Sequence, residues 1–256
     1  MQGRSALPLT TSMTPQPRLL TAIWVLALLL SFAAPATAAA KRTTPPPKLE
    51  GLDVSRFQGT IDWAKVAGSG RRFAMIRASA GSLTTDASYP ANRAGATAAG
   101  LKVSAYHYAN PDAATNDALN EANFFLGLAT PTHGDLVPAL DVEVTNGLSV
   151  ADMQTWVRTW LERVSSQLGV KPMIYTSPSF WKTSLGDTRW FADNGYTVLW
   201  VAHWNVKSPT VPASNWGGHG WTFWQYTSCG SVPGISGCVD LDRYNGTALA
   251  ASLFIP

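Results

Sequence analysis

From residue 150 to 168 apolar side chains at Met153, Trp156, Val157, Trp160, Leu161, Val164 and Leu168 recur at steps of three and four, the spacing that lays a stripe along an α-helix. Ser149 stands where an N-cap belongs and Gly169 just past the end, so the pattern predicts a helix over 150–168 with Trp156 and Trp160 in the core. Helical patterns also cover 92–100 and 112–129, and β-rich runs occupy 51–55, 73–79, 102–109, 136–143 and 173–177. Strands separated by helices imply βαβ crossovers and a parallel sheet. After residue 177 the rhythm changes. Segments 198–204, 221–227 and 239–244 read as strands joined by loops rich in Gly, Pro and Trp, with little room for helices. Eight strand candidates, helix-backed at first and bare later, predict an α/β fold: a modified (β/α) barrel with parallel strands, helix-poor in its C-terminal part.

The run LVPALDVE (136–143) carries the first chemistry. In a strand alternate side chains share a face, so Val137, Ala139, Asp141 and Glu143 fall on one side and Leu136, Pro138, Leu140 and Val142 on the other. Carboxylates two residues apart on one face have Cβ atoms roughly 7 Å apart. At an effective dielectric of about 20 their ionised forms repel by about 2 kcal/mol, so one acid keeps a proton near neutral pH while the other stays charged. That division of labour is what general acid catalysis on a glycoside requires.

The first forty positions do not read as fold. Arg4 and Arg18 precede an apolar run over 19–34, followed by Ala36-Thr37-Ala38, the pattern of a secretory signal peptide rather than of a membrane anchor. A polar, proline-rich linker follows (KRTTPPPK, 41–48), so the expected organisation is a signal peptide at 1–40, a linker at 41–48 and one catalytic domain at 49–256, secreted and not held at a membrane after cleavage. The formal net charge of +3 comes with no basic run and no nucleic-acid motif, so nucleic acid is not an expected partner. Cys229 and Cys238, nine positions apart in a Gly/Ser/Pro loop of an exported chain, are expected to pair. The four histidines share no metal-ligand spacing, so no metal or cofactor is expected, and His107 and His203, inside strand motifs, read as structural.

In a barrel of this type the C-terminal strand ends form the mouth. Asp53 lies near the end of the first strand, Asp141 and Glu143 end the fourth, and Asp240 opens the last, which in a closed barrel neighbours the first. Four acids from three strands would converge there, costly for stability and useful for an oxocarbenium-like transition state. At this point the motifs LDVSRFQGTIDW (52–63), FAMIRAS (73–79) with Gly81 and Asp86, AYHY (105–108), ALDVE (139–143), LWVAHW (199–204) and WQYTSCGSVPGISGCVDLDRYNG (224–246) together resemble the glycoside hydrolase family 25 lysozymes, over nearly all of 49–256.

The resemblance implies an N-acetylmuramidase that cuts the β-1,4 bond between N-acetylmuramic acid and N-acetylglucosamine in peptidoglycan glycan strands, with net retention; a monomer is expected, although no residue pattern in the sequence bears on oligomeric state. It implies Glu143 as general acid, Asp141 as its partner, and Asp53 and Asp240 as further active-site acids. It also places Tyr106, Tyr175 and Gln225 in motifs that line the sugar groove. Trp204 and Trp224, at strand ends near the mouth, are the tryptophans expected to stack on sugar. The chain departs from the family pattern at Ala80, where many members carry Glu, at Ser104 for a common Gly, at Trp204 for a common Tyr and at Asp242 for a common Asn. Two other readings use the same residues: a catalytically silent sugar-binding module, and a chitinase-like or N-acetylglucosaminidase-type barrel. Product end groups separate the second from the muramidase, and wall clearance separates the first.

Overall fold

The computed structural model describes residues 48–129 and 131–254. The expected leader, and all of the expected linker except Lys48, lie outside the described residues. Nine strands alternate with seven helices: β1 Glu50–Val54, α1 Trp63–Gly68, β2 Phe73–Ala80, β3 Thr84–Thr85, α2 Tyr89–Ala98, β4 Lys102–Tyr108, α3 Asp117–Leu128, β5 Ala139–Asp141, α4 Val150–Leu168, β6 Met173–Thr176, α5 Pro178–Ser184, α6 Trp190–Asp193, β7 Leu199–Ala202, α7 Pro212–Gly217, β8 Phe223–Gly230 and β9 Val239–Tyr244.

Eight of these strands close a barrel in the order β1-β9-β8-β7-β6-β5-β4-β2, with β2 pairing back to β1 and the short β3 folded on the end of β2. The expected barrel is therefore present, with one difference. Strands β1, β2 and β4 to β8 run parallel, but β9 is antiparallel to both β8 and β1. A hairpin rather than a helix joins β8 to β9, and a two-strand hairpin can only be antiparallel. The Cys229–Cys238 disulfide ties its two sides, with Cα atoms 4.4 Å apart.

Period-2 alternation fixes which side chains fill the barrel. Phe73, Met75, Ala139, Met173, Trp200, Phe223 and Tyr244 pack inside, while Leu52, Val54, Ala74, Ile76, Leu140, Ile174, Leu199, Val201 and Leu241 face outward to the helices. Space at the bottom is tight. A Cβ on Gly51 would lie 2.4 Å from the ring of Phe73, so only glycine lets that ring close the interior.

Helix α4 has the bounds that its pattern predicts. Ser149 accepts a hydrogen bond from the Asp152 N–H, Gly169 turns left-handed at φ 70°, and Trp156 and Trp160 are buried. The pattern at 112–129 overruns its helix, because Asp112 accepts from the Ala114 N–H in a local turn and Asn116 is left-handed, so α3 starts at Asp117. Strand β5 is shorter than 136–143. Pro138 has no N–H to give the ladder, and the residues before it pair elsewhere, Leu136 bridging to Leu253 and Val137 N–H donating to the Ser252 carbonyl. The later half is less bare than expected: α5, α6 and α7 occupy its connections, but each has at most seven residues.

Candidate active site

The inward face of each strand ends at the mouth, and there the apolar filling gives way to polar groups. Asp53 follows Gly51 on β1, Arg77 follows Phe73 and Met75 on β2, Asp141 follows Ala139 on β5, Tyr175 follows Met173 on β6 and Gln225 follows Phe223 on β8. The reversal of β9 is decisive for the last group. Its first residues, not its last, reach the mouth, so Asp240 pairs in register with Asp53, while Asp242 lies one step deeper opposite Gly51 and Gln225. Had β9 run parallel, Asp240 would sit at the closed end.

The carboxyls form two groups. In the first, buried Asp141 lies beside Glu143, which is exposed and lines the groove. Burial, then the charge of Glu143, pushes the Asp141 carboxyl well above the usual range, with Arg77 opposing. Loss of water around Glu143 raises that group too, against the hydrogen bond from Asp141. Burial bears harder on Asp141 than on Glu143, so of the two acids Asp141 is the one whose charged form the surroundings disfavour more. In the second group Asp53 neighbours Asp240 and Asp242 across the β1–β9 ladder. Burial raises Asp53 well above its ordinary value, with Asp242 and then Asp240 adding to it, and raises Asp240 to about 6 and Asp242 to about 7.

Two observations are consistent with the raised proton affinity of Asp242. It is fully buried, and its Oδ2 has no hydrogen-bond partner among the described residues, whereas its Oδ1 accepts from Trp200 Nε1 at 2.7 Å. A carboxyl so placed favours its neutral form. An orphaned ionised oxygen in that position would carry a large desolvation cost.

A polar relay connects this group to the groove. Gln225 Nε2 donates to Asp53 Oδ2 at 2.8 Å, while its Oε1 accepts from Tyr175 Oη at 3.0 Å and from Trp204 Nε1 at 2.9 Å. Tyr106 and Tyr175 are buried on the barrel's inner side, where burial and the neighbouring acids hold both phenols well above their ordinary value and neutral. A depression of about 700 Å³ opens beside Glu143, lined also by Tyr175, Lys182, His203, Trp204 and the segment 211–214.

One wall of this depression is unusual. Residues Ala213 to Trp216 wind left-handed, with φ between 51° and 59°, a conformation that costs about 1–2 kcal/mol per residue. Buried anchors hold it: Ala213 N–H donates to Asp187 Oδ1 at 2.7 Å, and fully buried Trp216 donates to the Tyr196 carbonyl at 2.8 Å.

Of the residues expected at the sugar groove, Trp204 is 44% exposed and in place, whereas Trp224 is 4% exposed and is not. Trp224 belongs to the outer core, packs against Trp221 and Tyr226, and spends its Nε1–H on the His203 carbonyl. Alternation gives the reason: Phe223 and Gln225 point inward, so the residue between them points out. His107 is buried outside the barrel, where it bridges Ser79 and Glu121, and burial lowers its proton affinity. Residues that the motif reading did not assign include Arg77, whose charge acts on Asp141, and Tyr108, which feels Glu143. The alternation from Phe73 through Met75 to Arg77 carried that signal in the sequence.

Comparison with known proteins agrees with this geometry. Residues 52–235 match the family described as glycosyl hydrolases family 25. Lysozyme M1 of Streptomyces globisporus is 37% identical over 209 residues, 78% of this chain and 69% of that protein. An N,O-diacetylmuramidase of Arthroderma benhamiae is 33% identical over 75% of this chain and 83% of its own. The crystal structure of a bacterial lysozyme from Streptomyces coelicolor superposes with a TM-score of 0.73 at 35% identity, covering 80% of this chain and 96% of the other. With the acids gathered at one barrel mouth and the family matched across most of the folded chain, this protein belongs to glycosyl hydrolases family 25.

Proposed function

We propose that the chain is an exported 1,4-β-N-acetylmuramidase that hydrolyses the bond between N-acetylmuramic acid and N-acetylglucosamine in peptidoglycan, with Glu143 as general acid and base. The observation that carries this reading is the placement of buried Asp141 beside exposed Glu143 at an open groove, with Asp53 and Asp240 gathered at the same barrel mouth. Relatives named lysozyme and N,O-diacetylmuramidase support the substrate class. Export rests on the leader-like pattern of residues 1–40.

The contact between Asp141 and Glu143 also bears on how the anomeric centre is stabilised. A carboxylate nucleophile partners the acid from about 5–5.5 Å away, across the sugar. Asp141 stands two positions before Glu143 at the same strand end, on the acid's own side, which argues against that role for it. It is placed instead to accept the N–H of the substrate's acetamido group. Accepting that bond favours ionised Asp141, and the proton it held moves to Glu143, which then faces the leaving oxygen. Glu143 gives the proton to the glycosidic oxygen as the C–O bond breaks. The acetamido carbonyl oxygen bonds to the anomeric carbon, and Glu143 then takes a proton from the water that opens the ring intermediate, with net retention. Half-buried Asp240, across the mouth beside Asp53, supplies negative charge near the cationic centre.

Mass analysis of fragments released from purified peptidoglycan tests the proposal, with the Glu143→Gln variant as control. Reducing muramic acid ends are expected. Reducing glucosamine ends would move the chain to the glucosaminidase reading, and no release by the wild type would leave a silent binding module.

A further inference from the structure

On the opposite flank of the acids from the main groove, the ends of β1, β2 and β4 surround a second depression of about 640 Å³. Arg56, Phe57, Arg77, Leu83, Tyr108 and Asn110 are among its lining residues, and none of its lining residues is an acid. Tyr108 links it to the chemistry, because both Glu143 and Asp141 act on that phenol.

The two guanidinium groups there are incompletely used. Asp86 is buried and fully engaged: its Oδ1 accepts from Ser88, and its Oδ2 accepts from the Arg56 backbone N–H and from Arg77 Nε at 2.9 Å. Asp86 thus clamps one edge of Arg77 and leaves the terminal nitrogens without an acceptor among the described residues. The Arg56 side chain is exposed, touches only the ring of Phe57, and has no acidic partner among the described residues. Phe57 at 73% and Leu83 at 89% exposure add apolar surface beside this unneutralised charge. Ala80, which also lines the depression, brings no charge to it.

We propose that this depression binds a carboxylate carried by the muramoyl residue, either the free lactyl carboxylate or one on the attached stem peptide, with Arg56 and the free edge of Arg77 as donors. The inference rests on the muramidase reading for the identity of the strand. Guanidinium groups match carboxylates in geometry, and an apolar flank beside them fits the methyl groups of a lactyl or alanyl unit. Because Arg56 is exposed, its contribution should fade with added salt.

Three glycan preparations from one wall test it: strands with peptide, strands stripped of peptide with free lactyl carboxylates, and stripped strands whose carboxylates are converted to methylamides. Equilibrium binding is measured on the Glu143→Gln protein, alone and combined with Arg56→Gln, Arg56→Lys or Ala80→Glu, and KM is measured on the corresponding single variants. Arg56→Gln and Ala80→Glu are expected to weaken binding of carboxylate-bearing strands by about threefold to tenfold at low salt, raise KM equally and leave kcat unchanged, with Arg56→Lys intermediate. None should alter binding of the methylamidated strands. A penalty on stripped strands alone identifies the free lactyl carboxylate, a penalty on peptide-bearing strands alone identifies the stem peptide, and a penalty on both shows that the site takes either carboxylate. Identical binding of all three preparations by parent and Arg56→Gln proteins would overturn the proposal. Failure of the wild type to release muramic acid ends would instead overturn the muramidase reading, and discrimination between free and methylamidated strands would still stand as evidence for the site.

Discussion

The two carboxyl groups at the barrel mouth have similar chemistry and different origins. Asp141 and Glu143 come from one strand end, two positions apart, with one buried and one exposed to the groove. Asp53, Asp240 and Asp242 come from the first and last strands and meet only because β9 turns back against β1. The first pair can exchange its proton with a substrate, because Glu143 reaches the groove. In the second Asp53 and Asp242 are buried and Gln225 holds Asp53, so only half-buried Asp240 approaches the surface. What differs between them is access, and access decides which one can do proton transfer.

Removing the exchangeable member should have the largest effect. Glu143→Gln is expected to lower kcat on peptidoglycan by about 10³-fold or more with little change in thermal unfolding, since the residue is exposed and an amide keeps the contact to Asp141. Activity within tenfold of wild type would erase the distinction drawn between the pairs. Asp53→Asn should cost less, about 10²-fold in kcat with a smaller change in KM, because it weakens charge stabilisation and leaves the proton donor intact.

The Asp242→Asn variant sharpens the comparison further, since it replaces a titrating carboxyl with an amide. Asp242, raised to about 7, and Asp240, raised to about 6, bind protons in the folded protein that they have lost in the unfolded one at pH 4 to 7. Their contribution is therefore present in full below about pH 4 and lost as pH rises through the folded values. Wild-type stability should fall across that window, and Asp242→Asn should flatten the fall, leaving the variant about 2 kcal/mol more stable at pH 8. Chemical denaturation at pH 5 and pH 8 reads this directly. The alkaline limb of kcat/KM should move upward with it. The groups facing Asp242 are Asp53, Asp240, Trp200, Arg71 and Tyr226. An unchanged pH profile would show that no proton is held there.

Opening the disulfide should affect activity least. Cys229→Ser with Cys238→Ser is expected to cost about 2.5–3 kcal/mol of stability from loop entropy and to change kcat less than twofold, because the cysteines lie at the end of the β8–β9 hairpin and the ladder itself holds Asp240 opposite Asp53. A loss of activity comparable to that of Asp53→Asn would mean that the hairpin's closure, not the strand register, positions the second group.

Much of the architecture was readable along the chain. The stripe from Met153 to Val164, capped by Ser149 and Gly169, specified α4, and alternating runs specified the barrel strands. Pairing of Cys229 with Cys238 followed from their spacing in a short loop. The misreadings have physical causes. Trp224 was expected at the groove because it ends a strand motif, yet its parity with Phe223 and Gln225 sends it outward. The helices after β6 were missed because each is too short to show a repeating stripe, and α7 winds left-handed, a conformation no local propensity favours. Arg77 was overlooked because a charged residue within an apolar run reads as an interruption, not as the mouth end of an inward row.

By itself the sequence determined the features that depend on neighbours in the chain: the period of each element, the caps, the Asp-x-Glu pair, and the face on which each acid falls. Only the tertiary structure decided those that depend on closure, namely the reversal of β9, the meeting of Asp53 with Asp240 and Asp242, and the burial that raises the proton affinity of Asp141 and Asp242. The reason is range. Periodicity and capping act within a few residues, whereas the proton affinity of a carboxyl is set by water excluded and charges brought near, and both arrive from strands that are far away until the barrel closes.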